Sequence, residues 1–311
     1  MMPTHTIAIC TKNRVDGVRD AVESALMNPD TDVIIVDQND DDRLVEAFAG
    51  LEGPHLRHLR TDIAGAGRAR NIALRAATTT YVCFTDDDCT VDHDYAKRFE
   101  AVLDTDDRRA VAFCRVDQGG DLGKAGYAPL HEIDEIATTT DWDRHLRPED
   151  LGIGAGMIVR REAALDVGGF DPFMGPGGVF ASADDRELAL RLLLAGHVIA
   201  DTPTPVVMHY GHRAAGREAR ALTSRDFIAM GAMMAKFAKV GTPHARPASV
   251  TFVGRLVGQA IVESVRRRRP TAFGKPLWAV VGLWRGLRSP VDPSTIVYRL
   301  DRRPSPTTQE S

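Results

Sequence analysis

The sequence predicts an α/β protein: a mostly parallel sheet with helices on both faces, followed by a helical extension. Three observations carry this. Through the first 115 residues, apolar runs alternate with stretches of helical spacing, the order that builds parallel sheets. The runs VIIVD (33–37) and YVCFTD (81–86) are continuous rather than alternating, as strands covered on both faces are. After His212 the composition turns to basic stretches of helical spacing.

The elements follow in order. THTIAIC (4–10) is a short β-rich run. From Asp16 to Met27, Val18, Val22, Ala25 and Leu26 share one helical face. VIIVD is the second strand, and Arg43 to Leu51 is helical before Gly50–Gly53. HLRHLR (55–60) reads as a third strand, and GAGRARNIALRAA (65–77) as a glycine turn feeding a helix. YVCFTD closes the series in the acids Asp86, Asp87 and Asp88. Ligands of such sheets gather at the carboxyl ends of the strands, which places Thr11, Asn13, Asp37 and the 86–88 acids on one rim. Residues 116–150 are polar and read as loop and short helix. GAGMIVRREAALDVGGFD (154–171) reads as strand, helix and glycine stop. In FASADDRELALRLLLAGH (180–197), Leu188, Leu192 and Ala195 repeat at helical spacing and Gly196 ends the run. VIADTPTPVVMHYGH (198–212) reads as a strand and a second, proline-bracketed strand.

Composition bounds the function. At 311 residues, 43% hydrophobic and 26% charged, the chain suits one large domain with an appendage. The four cysteines form no CxxC or Cys/His pattern; they read as reduced core thiols in a reducing compartment. No basic leader precedes the first strand, and no run of about 18 apolar residues spans a membrane. Net charge hides an asymmetry. Residues 1–212 hold 21 Lys/Arg against 37 Asp/Glu, whereas 213–303 hold 18 against 5. GxGxxG, GxxxxGK[ST] and GxSxG are all absent, which argues against dinucleotide-binding, P-loop and serine-hydrolase chemistry.

Three adjacent carboxylates at a strand end repel one another unless a cation sits among them, and hard oxygen ligands suit Mg²⁺ or Mn²⁺ gripping a diphosphate. A solvated acidic turn is the competing reading. Asp184 and Asp185 open the Leu-rich helix; one could be a general base in the cleft, or both only cap partners. His209 in VVMH could complete a metal shell or be structural. Arg68 and Arg70, beside Asn71, could steady phosphates or the acids.

These pieces, taken in order, resemble family 2 glycosyltransferases of the GT-A type, whose sheet is Rossmann-like. TIAICTKNR resembles their opening strand, VIIVDQNDD their nucleotide-contacting V-D-D-G-S segment, and GAGRARNIAL their G-x-(S/A)-x-A-R-N block. YVCFTDDD resembles the strand bearing their DxD motif, VGGFD and SADDRELALRL their G-G-F-D and E-D-x-(D/E)-L-x-x-R blocks, and VVMH the strand with a late histidine. The resemblance runs from residue 6 to about 212. It implies donor binding by Thr11, Arg14, Asp37, Arg70, Asn71, Asp86 and Asp87. It implies a metal, Mn²⁺ or Mg²⁺, at Asp86, Asp88 and His209. Asp185 becomes the catalytic base of an inverting transfer, with Asp184 in support. Two departures stand out: D-Q-N-D replaces D-D-G-S, and Asp184 stands where the family has Glu.

The domain expectation is a catalytic domain over 1–212, with a nucleotide-sugar half at 1–115 and an acceptor half at 116–212. A basic amphipathic helical extension over 213–303 and a disordered tail at 304–311 follow. In the extension, Phe227, Met230, Met234 and Phe237 fall near helical spacing, as do Phe252, Val253, Leu256, Val257, Ala260 and Ile261, ahead of Arg266–Arg269. Such helices suit an anionic membrane surface, or else pack on the catalytic domain. The reading is therefore a cytoplasmic, metal-dependent hexosyl- or deoxyhexosyltransferase of cell-surface polysaccharide or glycolipid synthesis. It takes a nucleotide-sugar donor and a hydroxyl acceptor, lipid-linked, and contacts the inner face of the membrane through 225–290. No nucleic-acid motif is present. The alternatives are a sugar-phosphate nucleotidyltransferase, which needs a G-x-G-x-R loop where CTKNRVDG stands, and a non-catalytic carbohydrate-binding or scaffold protein.

Overall fold

The computed structural model of the chain describes residues 3–299 apart from 52, 54, 121–125, 128, 143–146, 212, 215, 269 and 271. The tail expected at 304–311 lies outside the described residues.

Four strands open the fold: β1 (His5–Thr11), β2 (Thr31–Asp37), β3 (Leu56–Arg60) and β4 (Tyr81–Asp86). They are joined by α1 (Val18–Leu26), α2 (Arg43–Ala47) and α3 (Ala66–Ala76). All four strands pair in parallel, in the spatial order β3-β2-β1-β4. The register sets Thr11 opposite Asp37 and Cys10 opposite Asp86, so their carboxyl ends are level. β3 sits at the edge, where its arginines can face water.

The second half extends the same sheet through β5 (Cys89–Val91), α4 (Tyr95–Leu103), β6 (Arg109–Gln118), β7 (Gly126–Tyr127) and β8 (Ala137–Thr139). Then come β9 (Met157–Arg160), α5 (Arg161–Asp166), α6 (Asp184–Leu194), β10 (Val198–His209) and β11 (Arg213–Ala214). The nine-stranded sheet runs β3-β2-β1-β4-β9-β6-β10-β5, with β8 also on β10. β9 lies antiparallel between β4 and β6, and β10 is parallel to β6, so His209 emerges on the same rim as Asp86. Two expectations need correction. The 116–150 segment contains strand β8, because β10 offers it a free antiparallel edge. The two strands expected in 198–212 are one, interrupted where the register shifts between Thr202 and Val206; Pro203 and Pro205 fall in that gap, outside the ladder.

Side chains alternate across the sheet into two cores. Ile7 and Ile9 pack with α1 and α4 on one face; Ala8, Val82 and Phe84 pack with α3 and α6 on the other. The extension forms α7 (Arg217–Lys239), α8 (Ala245–Arg267) and α9 (Gly274–Arg288). The Met230, Met234 and Phe237 stripe of α7 is buried in the second core, with Phe237 edge-on to Trp142 at 4.8 Å. α7 also drives Lys236, fully buried, between Asp171 (2.6 Å) and Glu187 (2.5 Å). Glu187 in turn accepts from Arg191, and the two cations hold its carboxyl below the usual range against the opposing effect of burial. α9 lies on α7 at backbone contact: a Cβ at Gly282 would collide with the Ile228 carbonyl, and one at Gly231 with that of Ala279. No helix among the described residues is long and apolar enough to cross a membrane.

Candidate active site

The site is assembled from five strand and helix ends. Beyond β1, Asn13 takes a left-handed conformation (φ 58°) and donates its N–H to Asn39 Oδ1 at 2.7 Å. That turn swings Arg14 toward the acids after β4. Arg14 Nη1 donates to Asp87 Oδ1 at 2.9 Å and also pairs with Asp88. Asp87 is nevertheless pushed up to about 6: burial raises it, Arg14 pulls it back only in part, and its acidic neighbours add to the rise.

α3 supplies Arg70, buried, whose guanidinium bridges two elements. Nη1 meets Asp184 Oδ2 at 2.5 Å and Nη2 meets Asp86 Oδ1 at 3.1 Å. Burial works against its charge, yet Asp184 and Asp86 keep it above the ordinary value. Asp184 is raised, chiefly by burial, with Arg70 opposing. Next to it at the start of α6, Asp185 accepts the Gly154 N–H on Oδ2 at 2.6 Å and the Arg186 N–H on Oδ1 at 2.7 Å.

Two adjoining cavities meet here. One, of about 330 Å³, is lined by Lys12, Arg14, Gln38 and Asp86–Asp88. The other, of about 360 Å³, is lined by Asp86, Asp184, Asp185 and His209. Arg70, Asp86 and Pro176 belong to both walls. Asp86 and Asp185 thus line one cavity, and Asp87 and Asp88 the cavity that shares its wall.

Other expected residues are placed differently. Asp37 is buried, and its carboxylate is engaged by Asn39 (2.8 and 2.7 Å on Oδ1) and by His58 (3.1 Å on Oδ2). It braces the rim, while Gln38, one residue on, lines the cavity. Asn71 clamps the Phe170 backbone through two 2.7 Å bonds, and so pins the glycine turn rather than lining either cavity. Arg68 donates to the Ala64 carbonyl, in the turn that leads into α3. Thr11 is buried behind the rim. Sequence reading missed Lys12, Gln38 and, on α7, Arg225 and Asp226, which line the cavity with Asp185. Asp226 is raised, mainly by burial. No spacing could have found the α7 pair, because they reach the site across the fold.

Asp86, Asp88, Cys89 and His209 bring ligand atoms within 4.8 Å of one another. The two carboxylates fit a hard divalent cation. Burial holds the Cys89 thiol protonated, a poor ligand. His209 Nδ1 accepts the Gly211 N–H at 2.9 Å, so the neutral ring carries its proton on Nε2, 3.6 Å from Asp88 Oδ1. For Nε2 to coordinate, that proton must move and the Gly211 contact must open.

The family model described as "Glycosyl transferase family 2" matches residues 6–168, more than half of the chain. The chain belongs to glycosyl transferase family 2. Among curated family relatives, two pre-mycofactocin glycosyltransferases of Mycobacterium tuberculosis, strains CDC 1551 and H37Rv, are each 28% identical. The alignment takes in 91% of this family 2 chain but 63% of theirs, so it spans under two thirds of the relatives' length. Among solved structures, the mannosyltransferase PcManGT of Pyrobaculum calidifontis, in complex with GDP-Man and Mn²⁺, superposes at TM-score 0.59 with 16% identity. That match covers 93% of this chain and 88% of PcManGT. S. aureus TarS 1–349 with UDP-GlcNAc superposes at 0.58 with 17% identity, over 81% and 72% of the two chains. At these identities the likeness is one of fold: the mostly parallel GT-A sheet with its flanking and C-terminal helices.

Proposed function

We propose that this family 2 chain moves a sugar from a nucleoside diphosphate sugar to an acceptor hydroxyl, inverting the anomeric centre. One observation carries the reading: Asp86 and Asp185 line one cavity, with Arg70 between them. The cavity holding Lys12, Arg14 and Gln38 is the donor side, in keeping with the 1–115 half, and the one closed by Asp185 and α7 is the acceptor side. A Mg²⁺ or Mn²⁺ ion held by Asp86 and Asp88 would neutralise charge on the diphosphate. Arg14 and Arg70 keep the acids 86–88 and 184 from repelling one another and hold Asp86 at the boundary between the cavities.

Asp185 is the base. It takes the proton of the acceptor hydroxyl as that oxygen attacks from the face opposite the leaving group. The Gly154 and Arg186 N–H groups fix the direction of its carboxylate. His209 orients Asp88, and Asp184 orients Arg70. The acceptor is a hydroxyl compound, lipid-linked, met at the inner face of a membrane; the apolar stripe of α7 from Ala229 to Phe237 is buried, so such contact falls to α8 and α9. The test separates binding from transfer. Asp185→Asn should keep nucleotide-dependent thermal stabilisation and lose about 10²–10⁴-fold in transfer. Asp88→Ala should lose the Mn²⁺-dependent stabilisation as well. Normal turnover by Asp185→Asn sinks the base assignment.

A further inference from the structure

We infer that the outer faces of α8 and α9 form a docking surface for an anionic lipid bilayer. α8 is apolar on two sides. Phe252, Leu256 and Ala260 are buried, with Phe252 stacked beside Phe227 of α7 at 6.4 Å between ring centroids. The opposite side exposes Val250 (75%), Val257, Ile261 and Val265 (74%). Between Arg246 and Arg266, a rise of about 30 Å along the helix, no fully exposed residue is charged. The two charges inside that span, Arg255 and Glu263, are half-buried and turned to Glu149 and Arg267.

α9 repeats the pattern. Ala279, Gly282 and Gly286 are buried on its α7 side, whereas Leu277 (61%), Val280, Trp284 (54%) and Leu287 are exposed. Arg288 stacks over the Trp284 ring at 4.1 Å. A water-facing helix normally turns its charges outward, so two touching helices that turn valine, leucine and tryptophan outward call for an apolar partner.

Charge decides which partner. Arg246 stands at one end of the α8 stripe and Arg266, Arg267 and Arg268 at the other; Lys275 and Arg288 bracket that of α9. Among the described residues, neither Arg266 nor Arg268 has an acidic partner. A second copy meeting this face with its own would set basic ends against basic ends. An anionic bilayer satisfies stripe and frame together: the aliphatic side chains and Trp284 enter the headgroup boundary while the arginines meet phosphates. The inference deepens the peripheral location proposed above. Its test does not use turnover, so either can fail while the other stands.

The experiment is sedimentation of the full chain with vesicles of phosphatidylcholine alone, or of equal phosphatidylcholine and phosphatidylglycerol. The chain should sediment with the mixed vesicles only, and less as salt rises. Arg266→Gln with Arg268→Gln should lower that affinity roughly thirtyfold, at about fivefold per basic residue near the surface. Ile261→Glu should abolish sedimentation at an unchanged melting temperature; if it misfolds, Leu277→Glu on α9 asks the same question. No sedimentation with mixed vesicles at low salt overturns the inference, as does undiminished binding by these variants. It is equally overturned if the chain dimerises, Ile261→Glu makes it monomeric and vesicles are ignored, since the face then belongs to a second copy.

Discussion

Arg70 shows how one side chain joins two halves of a site. It spans Asp86 on a strand and Asp184 on a helix that lies more than a hundred residues later. Because Arg70 and Asp184 are both buried, Arg70→Ala leaves an uncompensated charge on Asp184 and should destabilise the fold by about 3–5 kcal/mol, read by urea denaturation. Asp87 makes a pH prediction. Its folded value, about 6, lies above the 3.8 of a free side chain. The folded state therefore holds its proton more tightly than the unfolded chain, so ionising Asp87 subtracts stability, progressively between pH 4 and 6 and fully above. In metal-free protein, Asp87→Asn should gain stability relative to wild type as pH rises from 4 to 7; melting curves showing no such divergence would refute the shift. At this scale the acids, Arg70 and His209 were legible as residue types in their positions. Whether Asp37 and Asn71 face a ligand or brace the backbone was not, since His58 and the Phe170 backbone, distant in sequence, help to claim their polar atoms.

At the scale of elements, the α7 contacts tie the basic extension to the sheet domain. Lys236 sits between Asp171 and Glu187 without access to water. Lys236→Met would leave Asp171 without its cation and Glu187 with Arg191 alone, and should cost about 3–5 kcal/mol, with the loss largest near neutral pH. The sign follows from Glu187. Its folded value is depressed, so its stabilisation is present above the unfolded carboxyl value and fades as acid protonates it. The α7–α9 crossing depends on bare glycine. Gly282→Val should destabilise by about 2–3 kcal/mol through overpacking, measurable in the same denaturation series. Strand and helix order was legible through Asp86 because periodicity is local. The stripe on α7 looked the same in sequence whether it met lipid or protein core; only the sheet lying against it answered.

Across the whole molecule, charge is divided: acids crowd the first 212 residues and bases the extension. Carboxylates gathered at one cleft want a cation, so a divalent ion with a nucleoside diphosphate should raise the melting temperature. Ligand at about a hundred times its Kd adds about 2.7 kcal/mol. A panel of nucleoside diphosphates with Mn²⁺ that moves the melting point nowhere would contradict the cleft assignment.

What the sequence by itself determined was the kind of fold, the level rim of strand ends and the residue types stationed there. These rest on periodicity and on motifs read within a few residues. The tertiary structure alone decided that Asp185 and Asp86 share a cavity, that α7 closes it with Arg225 and Asp226, and that α8 and α9 keep an apolar face outward. Those facts depend on contacts between residues tens to a hundred positions apart, and no local pattern encodes which of two apolar faces a helix will bury.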